Sequence, residues 1–308
     1  MDLTNNKNVI QPSIELSSIP CDNNNFKSIV ADFFKTKEEN LAIFSCLENS
    51  IFSLLHSLDS RHLYLYAPIN PIYEKVAIKL GYSIEYINRF LDLESSLIPN
   101  SIIIFANPSQ PEGQVYDLDR LVNIWEESNT TVIIDESHLS FTKASSFKNK
   151  INTNLEIYII EALEYFYAIE DFELCLIHSS KQYIHKLYDK TPTCHMAKIQ
   201  AKIFIQMIQD KSFSQISRGI NILNKELLIQ ELSKISFIKE IYPSDTNYIL
   251  IRIQSTDIKS LNTLLQEHNI QVLECDRYQF LDHHYGQITI QKNKDIRRII
   301  NIFNVINM

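Results

Sequence analysis

Two apolar runs decide the fold: SIIIFANPSQPEG at residues 101–113 and TVIIDESHLSF at residues 131–141. Each run begins as a buried strand and ends in polar residues, and the intervening DLDRLVNIWEESN (117–129) has the apolar spacing of an amphipathic helix. A strand, a helix and a second strand in this order predict a βαβ unit with parallel strands. We therefore expect the polar residues after the two strands to meet at one edge of the sheet, where α/β proteins place their sites.

The same alternation continues on both sides of this unit. LYLYAP (63–68), NLEIYIIEAL (154–163) and FELCLIHSS (172–180) are strand-like, and PIYEKVAIKLGY (71–82) is helical. The stretch from 196 to 235 is almost wholly helical, and short strands and helices follow it. These patterns predict an α/β protein with a mainly parallel, seven-stranded type of sheet sandwiched by helices, plus a small α+β domain. The predicted division is an N-terminal arm at 1–25, a large domain at 26–215 and a small domain at 216–308.

Composition excludes several classes of function. The 308 residues carry a net charge of −8 and no basic cluster, which argues against a nucleic-acid partner. The N-terminal stretch has no cationic and apolar signal pattern, and no apolar run approaches the roughly 20 residues that span a bilayer. We therefore expect a cytoplasmic protein with no membrane partner.

Cysteine and glycine usage bears on cofactors. The five cysteines are dispersed without a CxxC pair, which indicates reduced thiols and no metal site. Only four glycines are present, although phosphate-binding loops depend on glycine to let the backbone approach the anion. A compositional bias toward Ile, Asn and Lys is the alternative explanation for so few glycines.

Several segments, in order along the chain, resemble fold type I pyridoxal-phosphate (PLP) aminotransferases. The similarity is greatest to the threonine-phosphate decarboxylase and histidinol-phosphate aminotransferase branch. Residues 106–113 (ANPSQPEG) resemble its NP-x-NPTG turn, and 132–141 (VIIDESHLSF) resemble the strand whose aspartate pairs with the pyridine nitrogen. Three further segments carry the resemblance: IELSSIP (14–20), TNYILIRI (246–253) and VLECDRYQFLDHHYGQITI (272–290). The resemblance implies a homodimer with both halves of the site at the subunit interface.

The resemblance assigns the acid of the PLP site to Asp135 and the Schiff-base lysine to position 165. PLP acts as an electron sink, held on a lysine with an acid opposite its ring nitrogen. Asp135 would be that acid, although an aspartate at a strand end also commonly begins a turn. The family S-x-x-K run falls on Ala162-Leu163-Glu164-Tyr165, so a tyrosine without an amine occupies the lysine position.

The phosphate-binding positions of the family are also altered. Its Gly-Ser/Ala-Thr turn falls on Cys46-Leu47-Glu48, the serine of S-x-x-K falls on Ala162, and its arginine falls on Glu173. The carboxylates of Glu48 and Glu173 are expected to repel a phosphate dianion.

The resemblance gives three more inherited cofactor positions. Gln110 replaces the asparagine that bonds the phenolic oxygen, and His138 stands where the family has an aromatic residue. Tyr73 matches a tyrosine that reaches the phosphate of the neighbouring subunit. A structural histidine at 138 and a tyrosine packed in the dimer interface are the alternatives. The arginines that bind the substrate carboxylate fall on Gln287 and Glu274.

Three hypotheses for function follow. The first is an aminotransferase-fold pseudoenzyme with no catalytic residue and no expected cofactor, acting as a scaffold or partner subunit, or binding a small molecule in the old site. The second is an active PLP-dependent aminotransferase or threonine-phosphate decarboxylase-like enzyme that uses another lysine, with PLP as the alternative cofactor. The third is an enzyme with an acid–base cluster at the strand ends. The lysines considered are Lys143, Lys148, Lys150 and Lys181, and the cluster is Asp135, Glu136, His138 and Tyr165.

Overall fold

The computed structural model describes residues 1–12, 26–151, 155–168, 173–191, 198–210 and 212–306. The segment IELSSIP (14–20), which contributed to the resemblance, lies outside these residues. Among the helices that the structure describes, none is long and apolar enough to cross a bilayer.

The described residues form a seven-stranded sheet in the order β1-β7-β6-β5-β4-β2-β3. Strands β3, β2, β4, β5 and β6 run parallel to one another, and β7 runs antiparallel to both β6 and β1. The strands are β1 Leu41–Phe44, β2 His62–Ala67, β3 Ser83–Asn88, β4 Ile102–Ala106, β5 Thr131–Asp135, β6 Ile157–Ala162 and β7 Cys175–His178. The predicted mainly parallel sheet is confirmed, although the sequence patterns did not indicate β1 or β3.

Helices cover both faces of this sheet. Side chains alternate between the faces along each strand, so Ile104 and Ile160 pack on one side with Leu54, while Phe105 packs on the other with Trp125. The helices in this part of the chain are α1 Phe26–Phe33, α2 Leu47–Ser57, α3 Pro71–Lys79, α4 Asp119–Glu127, α5 Glu164–Tyr167, α6 Lys181–Lys190 and α7 Lys198–Gln209.

A second, antiparallel sheet follows in the order β10-β11-β9-β8. Its elements are α8 Phe213–Leu232, β8 Ile238–Ile241, β9 Tyr248–Ile253, α9 Ile258–Gln266, β10 Leu273–Glu274, β11 Tyr285–Thr289 and α10 Asn293–Ile306. Leu228, Leu265 and Phe303 from the three helices pack against it. This confirms the small α+β unit. The boundary at 215/216 stays a prediction, and α8 runs across it.

The loop between β4 and α4 (residues 107–118) joins the two sheets. Tyr248 of β9 donates its hydroxyl hydrogen bond to the Ser109 carbonyl at 3.0 Å, and the Gln287 side chain of β11 donates to the Pro111 carbonyl at 3.0 Å. Gly113 has a φ of +84°, and a Cβ there would lie 2.4 Å from the hydroxyl oxygens of Ser244 and Thr246. Only glycine allows so close an approach at this backbone conformation.

A buried ion pair between Arg89 and Glu112 fixes the β4–α4 loop. Arg89 donates from Nε and Nη2 to the two carboxylate oxygens of Glu112, at 2.7 and 2.6 Å. Its guanidinium also donates to the carbonyls of Tyr66 and Gln110. Because both charged groups are buried and hydrogen-bonded in a bidentate manner, the geometry of the loop is fixed.

Candidate functional site

Asp135, the last residue of β5, is buried and fully hydrogen-bonded within the chain. Its Oδ2 accepts from the Tyr73 hydroxyl at 2.7 Å. Its Oδ1 accepts from the Ser137 backbone N–H at 2.9 Å and from the Ser137 hydroxyl. Burial raises the pKa of Asp135, and these hydrogen bonds oppose the rise. The Ser137 contacts are those of an aspartate that begins a turn, so this alternative reading holds for one carboxylate oxygen.

Tyr73 lies in α3 and is fully buried. The resemblance assigns this position to the phosphate of a neighbouring subunit, whereas here the hydroxyl donates to the chain's own Asp135. Burial raises the pKa of Tyr73 well above its usual value, and the negative charge of Asp135 adds to the rise. The phenol therefore stays protonated and serves as a hydrogen-bond donor.

Tyr165 and His138 pack together beside Asp135. Their ring centroids are 4.5 Å apart, and the His138 ring also contacts Tyr248 at 5.0 Å. Burial raises the pKa of Tyr165 well above its usual value, with contributions from the charges of Glu164 and Asp135. Burial lowers the pKa of His138 to about 3, so its imidazole is neutral. Among the described residues its Nδ1 has no hydrogen-bond partner.

Glu136 does not join this group. Its carboxylate accepts from the Phe147 backbone N–H at 2.6 Å and from the Ser146 hydroxyl. Burial raises its pKa to about 7. Asp135, His138 and Tyr165 thus lie together, whereas Glu136 is hydrogen-bonded to the segment at Ser146 and Phe147. The four-residue acid–base cluster is therefore not assembled.

Sequence reasoning missed two buried groups next to Tyr165. Glu164 is buried, its Oε2 has no partner among the described residues, and burial raises its pKa to about 7. Cys175 places its Sγ 3.1 Å from the Ser50 Oγ, and burial raises its pKa well above the usual value, with a contribution from Glu164. No sequence pattern marks either residue, because both lie in apolar surroundings that only the folded chain brings together.

The positions assigned to phosphate binding have distinct environments. Glu48 lies in the first turn of α2, and its carboxylate pairs with Lys75 at 3.2 Å and Lys79 at 3.6 Å. The expected repulsion of a phosphate by Glu48 is therefore reduced, because two ammonium groups compensate its charge. Ala162 is buried, and Glu173 is exposed.

The remaining inherited positions have structural contacts. The backbone carbonyl of Gln110 accepts from Arg89 at 2.8 Å. Gln287 is fully buried and holds the β4–α4 loop. Glu274 accepts from the Asn262 side chain at 3.2 Å, and Arg277 is exposed.

The lysines considered as substitutes for a Schiff-base lysine have other partners or are exposed. Lys148 pairs with Glu161 at 3.3 Å, Lys150 with Asp119 at 3.1 Å and Lys181 with Glu39 at 3.0 Å, and Lys143 is exposed. In the part of the chain that the structure describes, no lysine amine hydrogen-bonds to the Asp135 group.

Two further lysines have environments that sequence reasoning missed. Lys225 is buried and donates to the carbonyls of Ser244 and Thr246 at 2.6 and 2.8 Å, and burial lowers its pKa to about 8. The charge of Lys7 acts on Glu164 and lowers the pKa of that carboxyl, against the larger effect of burial.

Comparison with known proteins identifies the family. The profile of "Aminotransferase class I and II" matches residues 15–303. The chain belongs to this family. Histidinol-phosphate aminotransferase of Clostridium acetobutylicum has the same fold, with a TM-score of 0.85, 20% identity and coverage of 100% of this chain and 99% of that one. L-threonine-O-3-phosphate decarboxylase of Porphyromonas gingivalis has a TM-score of 0.80 at 19% identity, with coverage of 92% and 88%.

Curated relatives match over only part of their length. The adenosylcobalamin biosynthesis bifunctional protein CobDQ of Leptospira interrogans is 26% identical over 225 residues, which are 71% of this chain and 26% of the relative. Histidinol-phosphate aminotransferase of Flavobacterium psychrophilum is 25% identical over 167 residues, which are 54% of this chain and 47% of the relative.

The expectation that this protein takes no cofactor is wrong. The family is that of the PLP-dependent aminotransferases, so the comparisons point to PLP. The sequence argument failed because it counted altered positions as lost binding, and the structure does not show a loss of binding.

The residues at the candidate site fit part of PLP. Asp135 offers a buried carboxylate at a strand end, as a pyridinium nitrogen requires. Tyr165 offers a phenol with a raised pKa and no amine. The site therefore has a partner for the ring nitrogen, and its described residues do not supply the amine for a Schiff base.

Proposed function

We propose that this chain is a non-catalytic member of the aminotransferase family, which keeps the fold and the buried aspartate and acts as a scaffold or partner subunit. One observation carries the proposal: the group around Asp135 contains Tyr165, Tyr73 and His138, and no described lysine amine. Without an amine, the chain cannot hold the cofactor as a Schiff base and lacks the lysine that would exchange with an amino substrate and move its proton. PLP in this site would be held by non-covalent contacts.

Trapping of the Schiff base tests the proposal. The purified protein is incubated with PLP, reduced with borohydride and digested, and pyridoxyl-lysine peptides are sought by mass spectrometry. We expect no stoichiometric adduct in the wild type. The Tyr165→Lys variant should gain one at residue 165, because Asp135 lies beside that side chain. Tyr183→Lys, in the partly buried face of α6, is the matched control and should gain none.

The outcomes separate the two readings of position 165. A stoichiometric adduct in the wild type would overturn the non-catalytic proposal. No adduct in Tyr165→Lys would show that position 165 does not correspond to the family lysine.

An active PLP-dependent enzyme is the second candidate, and two lysines favour it. Lys225 is buried with a pKa lowered to about 8, which makes its amine more nucleophilic at neutral pH, and the charge of Lys7 reaches Glu164 beside Tyr165. Under this alternative the trapped peptide contains one of these lysines. Substituting that lysine with Arg should abolish the adduct and any amino-group transfer.

The partner subunit is proposed to be a second copy of the chain, in a cytoplasmic homodimer. Phe52 of α2 is 42% exposed and Ile78 of the adjacent α3 is 61% exposed, and exposed apolar side chains on packed helices suit an interface. Light scattering after size exclusion should give twice the 35.9 kDa chain mass. A monomer at micromolar concentration would contradict the proposal.

A further inference from the structure

A cleft of about 610 Å³ lies between the segment that follows α1 and the 3₁₀ turn Phe147–Lys150. We call it the lysine cleft. Its polar wall is formed by Lys35, Thr36, Lys37, Ser145, Lys148 and Asn149. Among its described lining residues none is acidic, in a chain whose net charge is −8. The cleft therefore differs in sign from the molecule as a whole.

The floor of the cleft is fixed by a buried polar group. Lys148 lies 3.3 Å from Glu161, and its amine stands 4.9 Å above the Phe34 ring. His178 Nε2 lies 3.4 Å from the same Glu161 oxygen, without the alignment of a hydrogen bond. Although burial raises the pKa of Glu161, Lys148 and His178 hold it below its usual value. The carboxylate is thus charged and anchors the Lys148 ammonium in the floor.

The rim carries two lysines that form no ion pair among the described residues. Lys35 and Lys37 are exposed, and neither forms an ion pair within the described residues. The neighbouring Glu39 pairs with Lys181 at 3.0 Å, and Glu38 acts on Lys27. Glu39 also acts on Lys37 through its charge, so it reduces the positive charge of the rim without forming an ion pair there.

We propose that the lysine cleft binds a small phosphate-bearing anion of the pyrophosphate type. The two exposed ammonium groups of Lys35 and Lys37, beside hydroxyl and amide donors, suit an anion with several oxygens, and Lys148 adds a third ammonium that Glu161 already pairs. The cleft offers no free aromatic face for a base, because the Phe34 ring already contacts Phe204, His178 and the Lys148 amine. The site is separate from the proposed function, since Asp135 and Tyr165 do not line it.

Calorimetric titration with inorganic pyrophosphate at low salt tests the proposal. The double variant Lys35→Gln/Lys37→Gln should bind about tenfold more weakly than the wild type, because two charge-assisted contacts are lost. The double variant Lys239→Gln/Lys294→Gln removes the same charge from exposed positions elsewhere and should bind as the wild type does. Thermal unfolding of all three proteins checks that each is folded.

Each outcome decides the matter. Selective loss of binding in the Lys35/Lys37 variant supports the site. Equal weakening in both double variants, or equal heats with sulfate, would mean an adventitious ion only and overturn it. Absence of binding to the wild type would overturn it as well. Pyrophosphate has no aldehyde, so these results are independent of Schiff-base trapping.

Discussion

The β4–α4 loop and the group around Asp135 are both buried and polar, but they differ in how completely their polar atoms are paired. Arg89 and Glu112 beneath the loop satisfy each other in a bidentate pair. Beside Asp135, His138 Nδ1 and Glu164 Oε2 have no partner among the described residues. Fully paired buried groups stabilise a fold, whereas unpaired ones are costly and need another reason to persist. The paired groups beneath the loop thus stabilise the fold. The unpaired atoms beside Asp135 are what a ligand site would present.

The largest expected effect comes from breaking the pair beneath the loop. Arg89→Leu should lower the free energy of unfolding by about 3–5 kcal/mol, because Glu112 is left as a buried, uncompensated charge. Urea denaturation followed by tryptophan fluorescence measures the change. Arg120→Leu is the control, since Arg120 is exposed and lies 3.9 Å from Glu94, and such pairs contribute about 0–1 kcal/mol. Equal losses in the two variants would contradict the assignment.

The unpaired Glu164 should make stability depend on pH. Its pKa is about 7 in the folded chain and near 4.5 when unfolded, so the folded state holds an extra proton between these values. Stability from this group is therefore present at low pH and is lost as pH rises through that window, by up to about 3 kcal/mol. Glu164→Gln should reduce this slope in urea denaturation at several pH values, and Glu136, whose pKa burial also raises to about 7, should account for part of what remains. The exposed Glu126→Gln should keep the full slope, and an unchanged slope in Glu164→Gln would reject the raised pKa.

Gly113 tests how tightly the loop meets the small sheet. Gly113→Ala should cost about 1–3 kcal/mol, because φ is +84° and the new Cβ would meet the Ser244 and Thr246 hydroxyls. Gly219→Ala, in α8 with nothing within 4 Å of its Cβ, should instead stabilise by about 0.5–1 kcal/mol. Opposite signs in thermal or urea unfolding are the expected result. Tolerance of alanine at 113 would show that the loop can move away.

The sequence could predict features with a local pattern, and it could not predict contacts between residues far apart in the chain. Asp135 was found because VIIDESHLSF (132–141) resembles the aspartate-bearing strand of the family, and the alternation of strands and helices predicted the parallel sheet. The hydrogen bond from Tyr73 joins residues 62 positions apart, and the burial of Glu164 depends on packing of the whole domain. Neither has a local pattern. The compensation of Glu48 by Lys75 and Lys79 was missed for the same reason.

The smallest expected effect concerns the hydrogen bond from Tyr73 to Asp135. This contact is paired, as the ion pair beneath the β4–α4 loop is. Tyr73→Phe removes the donor to Asp135 Oδ2 and should cost about 1–2 kcal/mol, since Ser137 still satisfies Oδ1. Tyr86→Phe removes the hydroxyl that donates to Glu74 at 2.6 Å in a partly exposed place, and should cost less.

Loss of the donor in Tyr73→Phe also leaves Asp135 Oδ2 available, so this variant should strengthen non-covalent binding of PLP, measured by quenching of tryptophan fluorescence. If binding weakens instead, Tyr73 contacts the cofactor itself, and its hydrogen bond to Asp135 gives way when PLP is bound.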